Sequence, residues 1–458
     1  MQPIKANELC KGLGTWKPDR MVATVATDSR NVKENSLFVC ISGEKTDGHR
    51  YAAQAMAQGA AGILAQHPVE GVNPEDTLLI SDPLDAMIAM GANYRAQFEP
   101  LVVGVTGSVG KTTTKEFCYA VFSAFGNTVK TLGNQNNEIG MPNTLFRFDK
   151  DTQYAVIEMG MQGLGEIHKL TMAARPAGAI ITMIGQSHLE QLGTRENILR
   201  AKMEICDGLP QGAPLVINAD NDLLANAQVP AHVRRVTFAI HDLAADVRAE
   251  HIRKEKDGTA FVISDKEYGT FEVFIPAIGD HNVMDAVSAF ALATRLGLDP
   301  AQAAQALSRY ETTGRRQKLV VHQGIRVLED CYNASPDSMR AGLQALCDME
   351  ITGRRIAVLG DMFELGSACE QAHRELADAC VKAKIDLLIA MGEGMAWAVK
   401  RAEELGLKTR YCSTHEQAAQ ALREETKDGD GVLVKASHGM AFEQILERFY
   451  QMEKHTGV

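Results

Sequence analysis

Residues 104–114, Gly104-Val-Thr-Gly-Ser-Val-Gly-Lys-Thr-Thr-Thr, set spaced glycines directly ahead of a lysine and three hydroxyls. Glycines free a backbone to turn its N–H groups inward around an anion, and a helix beginning there adds partial positive charge. In such a loop Gly107, Ser108, Val109, Gly110, Lys111, Thr112 and Thr113 cradle the phosphates of ATP. Lys111 reaches the β- and γ-phosphates, and the Thr112 hydroxyl holds Mg²⁺. Glu158 ends the apolar run Tyr154-Ala-Val-Ile, and a carboxylate at a strand end beside phosphates is a natural ligand for a hard cation. His188 follows another apolar run, Ala179-Ile-Ile-Thr-Met-Ile; a lone histidine is more often structural than a ligand, and this position favours the second role. Lys202, in Arg200-Ala-Lys-Met-Glu-Ile, reads from its neighbours alone as a solvated lysine on a helix.

These groups need a scaffold that gathers strand ends. Leu101-Val-Val-Gly-Val reads as a buried strand and Thr112–Phe122 as a helix. Apolar runs at 154–157, 179–184 and 214–217 alternate with helical segments, which predicts a parallel sheet. A helix over about 282–296 closes this part. A second α/β unit follows Gly314, with strands at 326–330, 356–360, 385–390 and 431–435. Ahead of both, a strand at 36–41 and a helix at 51–59 belong to a smaller unit. The expected fold class is α/β with three domains. They are a small N-terminal α/β domain over 1–97, a central P-loop ATPase-like domain with a mainly parallel sheet over 98–312, and a C-terminal Rossmann-like α/β domain over 313–458.

Composition narrows the partners. The 458 residues are 45% apolar and carry a net charge of −11, which suits a globular enzyme and argues against a broad nucleic-acid surface. No apolar run has the length of a membrane span, and Met1-Gln-Pro-Ile-Lys-Ala-Asn-Glu-Leu-Cys lacks the apolar core of a secretion signal. Nine dispersed cysteines without a CxxC pair suit reduced thiols, so a cytoplasmic location is expected. Nothing demands more than a monomer.

The glycine spacing departs from the plain P-loop pattern, which would place its first glycine at 105, where valine stands. Gly104, Gly107 and Gly110, three apart, resemble the Mur ligase family and its relative folylpolyglutamate synthase. Further stretches resemble the Mur ligases in order: Gly133-Asn-Gln-Asn-Asn-Glu-Ile-Gly-Met-Pro, Ile157-Glu-Met-Gly, Ser187-His-Leu-Glu, Ala201-Lys, Gly279-Asp-His-Asn-Val-Met-Asp and Asp330-Cys-Tyr-Asn-Ala-Ser-Pro-Asp-Ser. The Asp330 stretch and Leu359-Gly-Asp-Met-Phe-Glu-Leu-Gly point, within the family, to ligases that take D-alanyl-D-alanine. The Asp-Asn-Pro-Arg motif of those that add the third peptide residue is absent.

The resemblance implies an ATP-dependent amide ligase that joins D-alanyl-D-alanine to UDP-N-acetylmuramoyl-tripeptide through an acyl phosphate. It implies two Mg²⁺ sites, with Thr112, Glu158, His188 and a carbamylated Lys202 as ligands. Asn282 would contact adenine, Asp330 the ribose and phosphates, and Arg315 the phosphates from the hinge, with Arg316 beside it an equal candidate. Asn333, Ser335 and Lys435 would approach the reaction centre, although Ser335 stands where asparagine is usual. Ser29 and Arg30, in Thr27-Asp-Ser-Arg-Asn-Val, and the stretch Ser42-Gly-Glu-Lys-Thr-Asp-Gly-His would bind the UDP-sugar; Asp-Ser-Arg is equally a turn cap. Asn134, Asn136 and Asn137 would face the muramoyl peptide, or form an ordinary asparagine-rich turn. A folate-type ligase would open directly with the ATP domain, and a nucleotide switch would need no second metal set and no domain carrying Asp330.

Overall fold

The computed structural model describes residues 1–43 and 46–452; Glu44 and Lys45, within the N-terminal stretch assigned to the UDP-sugar, lie outside them. The strand carrying the glycine loop, Leu101–Thr106, is buried over its last five residues and sits inside a nine-stranded sheet. Across that sheet the order is Gly269–Ile275, Gly258–Asp265, Val247–Glu255, Arg234–Ala239, Pro214–Asn218, Gly178–Ile181, Leu101–Thr106, Tyr154–Glu158 and Thr128–Lys130. Pairing is parallel from Thr128–Lys130 as far as Val247–Glu255, and the last two pairings are antiparallel.

Alternation of side chains along each strand feeds two cores. Val103, Val105, Val156, Ile180 and Val216 pack under Phe117 and Phe122 of helix Lys111–Ser123 and under Val283, Ala286 and Phe290 of helix Asp280–Arg295. Val102, Ala155, Ile157, Ile181 and Leu215 face the other way, against Met87, Met90 and Tyr94 of helix Pro83–Arg95 and Leu170 of helix Glu166–Ala174. The same core continues into Leu37 and Leu64, so the N-terminal sheet is packed onto the central one. Tyr94 reinforces this join: its hydroxyl accepts from Gln2 N at 2.7 Å and donates to Phe148 O at 2.9 Å. The N-terminal sheet is parallel, ordered Thr24–Ala26, Ser36–Val39, Gly62–Ala65, Thr77–Leu79.

A third sheet runs Lys318–His322, Ile325–Glu329, Gly431–Lys435, Arg355–Gly360, Leu387–Met391, Lys408–Cys412. Its first pair is an antiparallel hairpin and the rest is parallel. Seven of the nine cysteines are buried, and Cys347 and Cys369 are half-buried; all nine are free thiols.

The expected elements are present with shifted ends. The run at 179–184 forms a strand only to Ile181, after which the backbone leaves the sheet toward the cleft. The 51–59 segment starts as a 3₁₀ turn, Gly48–Tyr51, and continues as helix Ala52–Ala57. Sequence reading gave no account of strands 247–255, 258–265 and 269–275. They lie at the sheet margin, and the first of them, Val247–Glu255, ends in the charged run Arg253-Lys254-Glu255, which masks a strand. The signal for them is Asp257-Gly258 at a tight turn between alternating segments, with Glu255 paired to Gly258.

Candidate active site

A cleft of about 580 Å³ opens over the C-terminal ends of Leu101–Thr106, Tyr154–Glu158 and Gly178–Ile181, and its opposite wall comes from the C-terminal sheet. This is where the chain order reverses in the central sheet, the usual place for a ligand in an open parallel sheet. The glycine loop forms one wall. A Cβ on Gly107, at φ 151°, would meet Thr182 Oγ1 at 1.8 Å, and one on Gly110, at φ 89°, would meet Asp285 Oδ1 at 2.7 Å. Only glycine allows this curl without strain. Ser108, Val109, Gly110, Lys111, Thr112 and Thr113 line the cleft, while Gly107 lies behind them. Ser108 Oγ is buried without a hydrogen-bond partner among the described residues, an orphan that fits a phosphate oxygen.

Lys111 folds back on this loop, donating from Nζ to Gly107 O at 2.8 Å and Ser108 O at 3.3 Å. Burial pushes its ammonium below the usual lysine range; the Glu158 carboxylate opposes that shift and the Arg316 charge adds to it. Thr112 Oγ1 donates to Glu158 at 3.0 Å and Asn136 Nδ2 donates to the same carboxylate at 2.8 Å. Asn134, Asn136 and Asn137 all reach the cleft, and Asn137 Oδ1 also caps the next helix by accepting from Gly140 N at 2.9 Å.

Lys202 departs from the solvated lysine its neighbours suggested. It is 1% exposed, on helix Arg195–Met203, and its amine has no hydrogen bond or ion pair among the described residues. Burial, and then the nearby Lys111 charge, hold its amine well below the ordinary lysine range. His188 lines the cleft at φ 62°, with Nδ1 at 2.7 Å from Glu364 Oε2 of the C-terminal domain, an ion-pair distance off the angle of a good hydrogen bond.

On the facing wall Lys435 Nζ donates to Asp330 Oδ2 at 2.7 Å and to Asn333 O at 2.9 Å. Asn333 and Ser335 reach the cleft, but the Ser335 hydroxyl is committed to capping helix Pro336–Asp348 through Ser338. Asp337 ties the walls together by accepting from Gln186 N at 3.2 Å. Arg315 and Arg316 are separated by a bent segment, with Gly314 at φ 65° and Gln317 at φ 53° on either side of them. Arg316 lies on the cleft wall, its guanidinium 3.8 Å from the Tyr332 ring centroid. Arg315, expected at the phosphates, does not line the cleft and pairs instead with Glu447 at 3.0 Å. Asn282 is buried one layer behind the cleft, donating to Ile278 O at 2.8 Å and Gln317 Oε1 at 3.0 Å, and His281 and Gln317 are the neighbours that reach the cleft. Ser29 and Arg30 lie away from this cleft, where Asp28 caps their turn by accepting from Arg30 N at 2.9 Å.

Asp285 escaped the reading of Gly279-Asp-His-Asn-Val-Met-Asp, although it falls three residues after Asn282 on the same helix face. Its carboxyl sits under Gly110 and accepts from Thr114 Oγ1 at 2.8 Å, and burial pushes its pKa well above the ordinary range. An acid whose folded pKa is raised costs nothing at pH values below about 4, where the unfolded chain also holds the proton. As pH rises toward the folded pKa, the unfolded chain ionises first and stability falls. Asp285→Asn keeps the acceptor for Thr114 and should stabilise the fold by roughly 1–3 kcal/mol at pH 8. Denaturant melts of both proteins should converge near pH 4.

Among the described residues no three His, Cys, Asp or Glu side chains cluster as a metal cage. A divalent cation here would rest on Thr112, Glu158 and the oxygens of a bound nucleotide, the usual arrangement for Mg²⁺.

Comparison with known proteins agrees with this architecture. The family profiles described as Mur ligase family, catalytic domain, Mur ligase middle domain, and Mur ligase, glutamate ligase domain match residues 22–94, 105–293 and 314–438. A UDP-N-acetylmuramoyl-tripeptide–D-alanyl-D-alanine ligase of Bacillus subtilis is 38% identical over 92% of each chain. Among solved structures, MurF from Acinetobacter baumannii superposes with a TM-score of 0.89 at 28% identity, covering 98% of this chain and 99% of that one. MurF from Thermotoga maritima, solved in complex with ADP, superposes with a TM-score of 0.84 at 27% identity, over 93% and 97% of the two chains. With three profiles in register and near-complete coverage by these relatives, the chain belongs to the Mur ligase family.

Proposed function

We propose that this chain is the ATP-dependent ligase that joins D-alanyl-D-alanine to UDP-N-acetylmuramoyl-tripeptide, a step of peptidoglycan precursor synthesis. One observation carries the reading: a phosphate loop with its Thr112–Glu158 pair faces a second domain's Lys435–Asp330 pair across a single cleft. Binding a nucleotide alone needs only the first wall.

An amide cannot form directly from a carboxylate, because oxide is a poor leaving group. A terminal carboxylate oxygen of the tripeptide attacks the γ-phosphorus of ATP, ADP leaves, and an acyl phosphate results. The dipeptide amine then attacks the acyl carbon, the amine loses its proton, and inorganic phosphate leaves. The first attack brings two anions together, which costs several kcal/mol in a site of low dielectric. Lys111, the loop N–H groups and Arg316 lower that cost by placing fixed positive charge where negative charge develops. Mg²⁺ held by Thr112 and Glu158 would supply further neutralisation of the phosphate oxygens. Lys435, held by Asp330 and Asn333 O, is placed to meet the acyl group from the opposite wall.

Lys202 fits a carbamate. A carbamate forms only on a neutral amine, and the burial of this one, with Lys111 nearby, favours that form. His188 would complete the second metal set through Nε2, with Glu364 holding its Nδ1 side. Residues 1–97 are assigned to the UDP-sugar, 98–312 to ATP and 313–458 to the dipeptide and to closure over ATP. Among the described residues no helix is long and apolar enough to cross a membrane. That, the free thiols and the nucleotide-linked substrate support a cytoplasmic setting.

The deciding assay is ATP-dependent phosphate release with the UDP-linked tripeptide, with and without D-alanyl-D-alanine. Release that needs both, with the pentapeptide seen by mass, is expected; release without either substrate would make the protein a nucleotide switch. The two hinge arginines should separate in the same assay. Arg316→Ala should lose about 10²-fold in turnover, the scale of one lost donor to a developing charge. Arg315→Ala should stay within a few-fold.

A further inference from the structure

Lys115 is 1% exposed, one helical turn beyond Thr112, and is absent from the wall of the cleft. Its Nζ lies 3.0 Å from Glu116 Oε1 and 3.7 Å from Glu158 Oε2. Glu116 is 4% exposed; its Oε2 pairs with Lys130, and its Oε1 accepts from Thr313 Oγ1 at 3.0 Å. Four charges therefore alternate, Glu158, Lys115, Glu116, Lys130, and sum to zero; the first three are buried and Lys130, half-buried, closes the row at the surface. Glu158 is itself 1% exposed and receives hydrogen bonds on its cleft side from Thr112 and Asn136.

The partners of that carboxylate differ in what a ligand can change. Thr112 Oγ1 would leave Glu158 to bind a cation, so its hydrogen bond cannot anchor the loaded site. Lys115 stands beside the same Oε2 but does not line the cleft, and it would keep its contact when Thr112 turns away. A buried carboxylate without such a cation would be drawn toward Lys111, whose ammonium already feels the Glu158 charge.

We propose that Lys115 is a positioning residue: it holds Glu158 in place for the nucleotide-bound magnesium ion, and through Glu116 and Thr313 it ties that site to the segment leading to the C-terminal domain. This rests on the assignment of Thr112 and Glu158 to the metal.

The test is calorimetric binding of ADP to the full chain, with saturating Mg²⁺ and separately with EDTA. Lys115→Met should weaken ADP binding about 10–100-fold with Mg²⁺, the usual loss for a residue behind a metal ligand, and less than twofold in EDTA. Lys115→Met leaves an unbalanced buried charge and can fail to fold, so the double variant K115M/E116Q is measured too. There Glu158 and Lys130 balance, and the same Mg²⁺-specific loss is expected. Wild-type Mg²⁺ dependence in the folded double variant, or equal weakening with and without Mg²⁺, would overturn the proposal. If wild-type protein itself binds ADP no better with Mg²⁺, the metal assignment beneath it falls instead.

Discussion

Lys111→Ala is expected to lose ligase turnover by about 10³-fold while its melting temperature stays level or rises, the scale seen when a preorganised charge is removed from a developing one. The two halves of this result have separate origins. Among the described residues Lys111 Nζ hydrogen-bonds only the carbonyls of its own loop, at 2.8 and 3.3 Å, and burial disfavours its charge in the free protein. Alanine therefore removes a desolvation cost and is a good helix former at this first helical position. On the mechanism proposed above, catalysis loses the loop's own cation beside the γ-phosphate. Phosphate release and thermal melting measured together check both halves. Turnover within tenfold of wild type would remove the loop from the chemistry.

Lys202→Met should move stability and activity in opposite directions. A buried amine with no partner among the described residues costs free energy at every pH below the ordinary lysine pKa of about 10.4, because the unfolded chain keeps a proton there that the folded chain gives up. As pH falls from that value toward the folded pKa, the wild type loses stability and the methionine variant does not. Methionine, similar in length and apolar, should raise stability at pH 7 by roughly 1–3 kcal/mol. Ligase activity should fall by about 10²-fold or more if the lysine serves a metal as a carbamate. Denaturant melts give the first quantity. Assays in bicarbonate-depleted buffer, with and without added bicarbonate, isolate the second. A variant both less stable and fully active would mean that Lys202 is a packing residue.

Much of this site was legible because its chemistry is local in sequence. The loop at 104–114 and the carboxylate at 158 each announce themselves by type, spacing and a preceding apolar run, and the structure brings them to adjoining strand ends. Lys202 was illegible from its neighbours, since helix Arg195–Met203 is strongly polar and only the fold puts this one amine inside. Arg315 and Arg316 could not be told apart because they sit in a bend, where the side each one faces is set by the positive φ of Gly314 and Gln317 and not by any periodicity that adjacent identical residues could reveal. Lys115 and Glu116 drew no reading of their own; their burial goes with partners distant in sequence, Lys130 and Thr313, 14 and 197 residues from Glu116. Of the marginal strands, Val247–Glu255 was masked by its charged end, and one Asp-Gly turn was the clue to the hairpin that follows it.

The thiols carry a practical consequence. Seven are sealed in the cores, and burial pushes Cys40, Cys206 and Cys380 up to about 12 and Cys10 and Cys331 up to about 11, far from the thiolate that alkylating reagents attack. With Cys347 and Cys369 replaced, the folded protein should be nearly silent to maleimides. A pair of cysteines introduced on exposed positions of the central and C-terminal domains would then take up fluorophores selectively. Energy transfer between them could follow the approach of the two cleft walls in real time, turn by turn of the reaction.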